Sequence, residues 1–270
     1  MYQVLPRRGR GLLVLAAVIA IAASACSGNT ATPSAAATNA PSQPGATATP
    51  TGQGATSGPS AQATSALDNA ADAMGNLISY KYTMTLAGGT FDDMYSSVGG
   101  SPAAPNTPFI VKGTVVLTPD KSADVVVGEL HIIETGGSDY LDMGNTGGFT
   151  KTDVQPPGLT DQWTPASIFT AFNPSGSGYS IVGTDTKNSV LCDHYQAGAS
   201  ALAELASVSG VDNATWTADI WLAQSGGYPV SMAVVAKASD NSIAYEILFE
   251  ITKVNDPANK VNVPTNITGA

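Results

Sequence analysis

The sequence predicts an α+β domain built on a large curved antiparallel sheet with a few short helices. Three observations lead there. From residue 80 onward, apolar residues recur with period two in one segment after another. Turn signatures rich in Gly, Pro, Asn and Asp separate these segments, so sequential strands pair as hairpins and the sheet is antiparallel. Helical periodicity is confined to three short stretches.

The chain opens with a segment that stands apart from this domain. All three arginines lie within residues 1–10, and Gly11–Ala23 is an uncharged apolar run. A membrane span needs about 20 such residues, so a basic start, a short apolar run and small residues after it describe a secretory signal over residues 1–25. Ala23-Ser24-Ala25-Cys26 resembles a bacterial lipobox, in which the cysteine is acylated and becomes the new N-terminus; Ala23 stands where that pattern usually has Leu. Ala23-x-Ala25 also fits ordinary signal cleavage, which would leave Cys26 unmodified and free to pair with Cys192. Residues 26–63 form a tether. From Ser27 to Ala63 only Ser, Gly, Asn, Thr, Ala, Pro and Gln occur. Such a segment buries nothing that would offset its ordering entropy. As a flexible coil it spans about 35 Å.

The folded domain is expected over residues 64–270. Ser65-Ala66-Leu67-Asp68 has capping-box spacing, and Leu67, Ala70, Ala71, Met74, Leu77 and Ile78 form one helical stripe, predicting a helix that ends near Ser79. Tyr80, Tyr82, Met84 and Leu86 then alternate with polar residues as a half-buried strand. After a Gly/Ser/Pro-rich loop, Phe109, Val111, Val115 and Leu117 mark a second strand, and Thr118–Lys121 a turn. Val125–Val127, Leu130–Thr135, Tyr140–Met143 and Phe149–Thr152 read as short strands punctuated by Gly136-Gly137 and the 144–148 glycines. Pro165–Phe172 reads as a helix capped by Thr164 and stopped by Asn173-Pro174. Ala199–Ala206 is an alanine-rich helix. Trp216–Leu222, Val230–Val234 and Ile243–Thr252 are the last strands, the first two joined by the Gly226–Pro229 turn.

Charge narrows the functions available. Formal net charge is −10, the pI is near 4.4, and the domain carries lysines but no arginine. A nucleic-acid binder needs a basic stripe, which this chain lacks. With Cys192 alone beyond Cys26, no cysteine-rich zinc site or disulfide framework can form in the domain. Candidate chemistry is sparse. His131 lies within a strand and reads as structural, and Cys192 and His194 share a strand face as a conceivable metal or nucleophile–base pair. Asp92-Asp93 and Asp139/Asp142 are carboxylate pairs with weak calcium potential. No phosphate-binding glycine motif, nucleophile elbow or zinc-protease motif occurs, so no catalytic site and no cofactor is expected.

The apolar surplus is more informative. One sheet face collects Tyr82, Met84, Phe109, Val111, Val115, Ile220, Leu222, Met232, Val234, Ile247 and Phe249, and the helices add Ile168, Phe169, Phe172, Leu202 and Leu205. Periodicity leaves open whether these side chains fill an ordinary core or line an apolar cleft.

The order of parts supplies a further lead. A lipobox-like leader, a polar tether and a helix run into Tyr80-Lys81-Tyr82-Thr83-Met84. Ala218-Asp219-Ile220-Trp221-Leu222 precedes Tyr228-Pro229-Val230, and Val261-Asn262-Val263-Pro264 closes the chain. This arrangement resembles the LppX/LprA/LprF/LprG lipoproteins of mycobacteria and, more distantly, the LolA/LolB lipoprotein carriers. The resemblance implies a strongly curved half-barrel sheet whose concave face is covered by a few helices over a hydrophobic cavity. It also implies binding of lipid or glycolipid acyl chains at the cell envelope, without catalysis. The alternation-derived residues Tyr82, Met84, Phe109, Val111, Val115, Ile168, Phe169, Phe172, Leu202, Ile220, Leu222, Met232, Val234, Ile247 and Phe249 would then line that cavity. Cys26 would anchor the chain to the outer face of the bacterial cell membrane, with envelope proteins as further partners. The same fold without a lipid site, acting as an envelope interaction module, is the alternative.

Overall fold

The computed structural model describes residues 61–91, 107–144, 146–153, 158–172 and 178–268. The expected signal segment, Cys26, most of the tether and the Asp92-Asp93 pair lie outside the described residues.

Eleven strands are present among the described residues: β1 Ser79–Ala87, β2 Phe109–Val116, β3 Ser122–Val127, β4 Leu130–Thr135, β5 Ser138–Met143, β6 Thr150–Asp153, β7 Tyr179–Lys187, β8 Val190–Ala197, β9 Thr215–Ala223, β10 Pro229–Lys237 and β11 Ile243–Thr252. They form one sheet in the order β6-β5-β4-β3-β2-β1-β11-β10-β9-β8-β7. Every neighbouring pair is antiparallel, and β1 joins the two halves through the Tyr82↔Ile251 and Met84↔Phe249 register. The sheet is not closed, since β6 and β7 are its edges. This is the α+β, curved half-barrel class expected from the sequence.

Strand burial follows the sequence alternation. In β1, Tyr80, Tyr82, Met84 and Leu86 are buried while Lys81 and Thr83 face solvent. In β11, Tyr245, Ile247, Phe249 and Ile251 are buried. The inward residues of β1–β4 and β7–β11 belong to one core cluster on the concave face. The convex face holds a smaller cluster of Ile133, Tyr140 and Phe149 with Val261. The C-terminal tail pins that cluster: Phe149 N donates to Asn266 O at 2.9 Å, and Thr268 N donates to Phe149 O at 2.7 Å.

The helices cover the concave side. Where the sequence predicts a single helix from Leu67 to Ser79, two short ones occur, α1 Ala61–Asp68 and α2 Ala70–Gly75. Ser65, expected to cap the first turn, lies inside α1; the Asn69 side-chain amide donates to Ser65 O at 2.8 Å, and such local bonding competes with a continuous helix. Leu67, Ala70, Met74 and Leu77 keep the buried stripe, but Ile78 is 53% exposed and leaves it. The junction into β1 is held by the loop after β11. Asn255 Oδ1 accepts from Ile78 N at 2.7 Å and Ser79 N at 3.2 Å, and Asn259 Nδ2 donates to Ser79 Oγ at 3.0 Å.

Helix α3 spans Pro165–Phe172 as predicted, and the Thr164 hydroxyl lies 3.5 Å from Ser167 N in the capping position. Helix α4, Ala199–Ser209, runs three residues beyond its predicted end at Ala206, to Gly210, whose φ of 68° stops it. Strand β6 lies one residue later than expected.

Candidate functional site

The concave face is the candidate site, and the chain builds it from two sides. Strands β1, β2 and β9–β11 supply its floor. The segment 158–172 lies over the strands at the centre of the sheet, with Trp163 beside Phe109 of β2 at 6.1 Å between ring centroids and Phe169 edge-on to Phe249 of β11 at 6.4 Å. Helices α1, α2 and α4 cover the other half, where Leu67, Met74, Ala201 and Leu205 join the same cluster.

Tyr82, Met84, Phe109, Val111, Val115, Ile220, Leu222, Met232, Val234, Ile247 and Phe249 all project from the concave face, and each is at most 3% exposed. Phe169 is buried against them at 1%, whereas Leu202 is half-buried at the margin. The side chains of Ile168 and Phe172 lie outside the described residues. The structure thus brings the eleven strand residues and Phe169 into one cluster, with Leu202 packed against it. In this state they pack against protein, and at near-zero exposure none of them offers a surface to a ligand.

Three polar atoms interrupt this apolar packing. Among the described residues the buried hydroxyls of Tyr82 and Tyr179 and Oδ1 of Asp139 have no hydrogen-bond partner. An unsatisfied buried polar group costs about 1–3 kcal/mol, so such atoms are uncommon in a finished core. The Tyr82 ring lies over Gly113 of β2, where a Cβ would collide with it. Burial pushes the Tyr179 phenol up to about 12, with Asp219 and Glu204 adding to the effect. Both phenols are therefore neutral donors across the physiological range.

Asp139 belongs to a cluster that reading residues in sequence order missed. The sequence pairs Asp139 with Asp142, but strand alternation sends them to opposite faces. Asp142 lies on the convex side, where Thr146 Oγ1 donates to it at 3.1 Å and Gly147 N also donates. Burial opposes ionisation there, yet these bonds and nearby His131 hold the Asp142 carboxyl below its ordinary value. Asp139 instead sits on the concave side, directly opposite Glu134 of β4. A signal for this was available: Gly136-Gly137 has the two-residue hairpin pattern, and φ values of 60° and 72° place both glycines in the left-handed region such a turn requires. That turn fixes Glu134 against Asp139.

The remaining candidates carry no reactive geometry. The Cys192 thiol donates to Val190 O at 3.3 Å, and burial raises its pKa above the ordinary thiol value. His194 turns instead to Asp219, 2.8 Å away, and stacks on Trp221 at 4.5 Å with the Lys187 ammonium over the same indole. His131 lies 2.8 Å from Asp124 Oδ1 and edge-on to Phe149. Among the described residues no group of three His, Cys, Asp or Glu side chains is placed to hold a metal ion. No helix of the described residues is long and apolar enough to cross a membrane.

The geometry defines a class: an open antiparallel half-barrel that buries its concave face under short helices. No family model matches the chain, and no curated protein does. Solved structures similar to it include LprF from Mycobacterium bovis, at 13% identity over 77% of this chain and 99% of that one, with a TM-score of 0.45. The Mycobacterium tuberculosis lipoprotein LppX matches at 13% identity over 74% of this chain and 98% of that one, with a TM-score of 0.44. A LolA superfamily protein from Nitrosomonas europaea matches at 10% identity over 75% and 94% of the two chains, with a TM-score of 0.25. LprF and LppX, which the sequence motifs resemble, are among these structures, and the likeness is one of fold.

Proposed function

We propose that this protein binds the acyl chains of lipids or glycolipids on the concave face of its half-barrel, and carries or presents them outside the cytoplasm while Cys26 tethers it to the membrane. The observation that carries the reading is the concave face itself: a continuous apolar surface across β1, β2 and β9–β11, covered by short segments rather than by a second sheet. Each methylene withdrawn from water gains about 0.8 kcal/mol, so a 16-carbon chain left exposed forfeits roughly 12 kcal/mol. A protein surface that substitutes for bilayer removes most of that barrier. The side chains proposed to meet the acyl chain are Met84, Phe109, Val111, Val115, Phe169, Ile220, Leu222, Met232, Val234, Ile247 and Phe249, with Tyr82, Ile168, Phe172 and Leu202 beside them. They are closed in this state, so loading requires segment 158–172 or helices α1 and α2 to lift. The unpartnered Tyr82 and Tyr179 hydroxyls favour this over a permanent core, since the ester or hydroxyl oxygens at the head of an acyl chain would satisfy them.

Native mass spectrometry and solvent extraction of the purified protein test the proposal. Copurified lipid, or saturable uptake of a fluorescent fatty acid that Phe249→Trp weakens, is the expected result. A folded protein with neither extractable lipid nor uptake overturns it and leaves an envelope interaction module. Cys26→Ser should release the protein from membranes; unchanged fractionation removes the anchor.

A further inference from the structure

The concave face is closed at one end by an arrangement of charge that a neutral latch would not need. Glu134 and Asp139 stand opposite each other in register and are 8% and 1% exposed. The turn at 158–163 packs directly onto Glu134. Gly158 sits against the Glu134 carboxylate so closely that a Cβ would collide with it. Thr160, fully buried, donates its hydroxyl to Glu134 Oε2 at 2.5 Å. The turn also brings in a third carboxylate, Asp161, which accepts from Gly158 N at 3.2 Å through Oδ2.

One cation answers these three acids. Lys121, from the turn before β3, pairs with Asp161 and lies 4.0 Å from Glu134 Oε1. Among the described residues the other groups facing the cluster carry no positive charge. Tyr80 comes from β1, Ala123 occupies the matching position on β3, and Thr152 stands opposite Asp139 on β6. Among the described residues Asp139 Oδ1 is buried with no hydrogen-bond partner, a costly position for an ionised carboxylate oxygen. A like charge held opposite it disfavours ionisation further, so Asp139 is the carboxyl placed to hold a proton.

We propose that the 158–163 turn is a proton-dependent latch over the concave face: a proton held by Asp139, opposite Glu134, keeps the turn docked, and its loss drives Asp161 and the turn away. Burial, then Glu134 and Asp161, raise the Asp139 pKa above its ordinary value, in keeping with this placement. The sign follows. The latched state binds the extra proton, so docking is firm at acidic pH and weakens as pH rises through the raised value. The link to function rests on the acyl-binding reading, because the face uncovered is the one a ligand would enter; the latch itself is tested without ligand.

Hydrogen exchange of the purified full-length protein, followed by mass spectrometry from about pH 4.5 to about pH 8 and corrected for intrinsic rates, is the test. Exchange across 158–163 should rise by up to about tenfold per pH unit while Asp139 titrates, with β1 and β11 flat as internal controls. Asp139→Asn should abolish that slope, and so should Asp161→Asn, which removes the repelled charge should the first variant not fold. A corrected rate independent of pH in the unsubstituted protein, or an unchanged slope in either folded variant, overturns the latch. A pH-dependent turn in a protein that takes up no lipid removes the acyl-binding reading alone, and lipid uptake with pH-independent exchange removes the latch alone.

Discussion

Replacing Tyr82 by Phe separates a satisfied interior from one that lacks a partner. Tyr82 is 3% exposed on the central strand β1, its ring lies over Gly113, and its hydroxyl makes no hydrogen bond. Phenylalanine keeps the ring and its contacts and deletes the desolvated oxygen alone. An unpaired buried polar group costs about 1–3 kcal/mol, and the small void left by the oxygen gives part of that back. The lipid-stripped Tyr82→Phe protein should therefore be about 1 kcal/mol more stable than its parent. In a domain of this size that is a rise of about 2–4 °C in Tm. Urea unfolding followed by tryptophan fluorescence, with the denaturant slope unchanged, provides the measurement. A loss of about 1 kcal/mol or more would mean that the hydroxyl is bonded in the lipid-free protein, and the case for an unsatisfied concave face would fall.

Three further outcomes follow from the geometry. Cys192 is fully buried and its thiol pKa is raised, so alkylation at mildly alkaline pH should run about a hundredfold or more slower in the native protein than in urea; comparable rates would refute the burial. Asn255→Ala strips the acceptor from Ile78 N and Ser79 N at the junction between α2 and β1 and should cost about 1–3 kcal/mol in urea unfolding, with exchange rising first in α1 and α2. Asp142, held below its ordinary pKa, supports the 144–148 turn above the unfolded-state value and loses that support as pH falls through its lowered one. Asp142→Asn should thus narrow the stability difference between neutral and acid pH, and identical acid-unfolding curves would refute this.

The strands with a buried face were legible because their alternation is undiluted: β1, β2, β10 and β11 lie within a residue or a few of the predicted bounds. Strand β7 was not. From Val182 to Thr186 it is exposed on both faces at the sheet edge, so no period marks it, and its existence rests on pairing with β8. The broken helix was hidden for a different reason, since the stripe through Leu67, Ala70 and Met74 passes unbroken over Asn69 while the backbone does not. The concave-face residues were readable from period two, but the space between facing layers is a property of packing, on which alternation is silent. The sequence pairs Asp139 with Asp142 and does not single out Glu134; only the register of the hairpin sets Glu134 opposite Asp139.

The seam between β1 and β11 carries a consequence for biogenesis. The first strand of the sheet lies beside the last, so the two meanders on either side remain separate until the final segment of the chain arrives. Such long-range closure is slow and comes late. Each meander can pair within itself first, and the central hydrogen-bonded ladder forms only once β11 is available to β1.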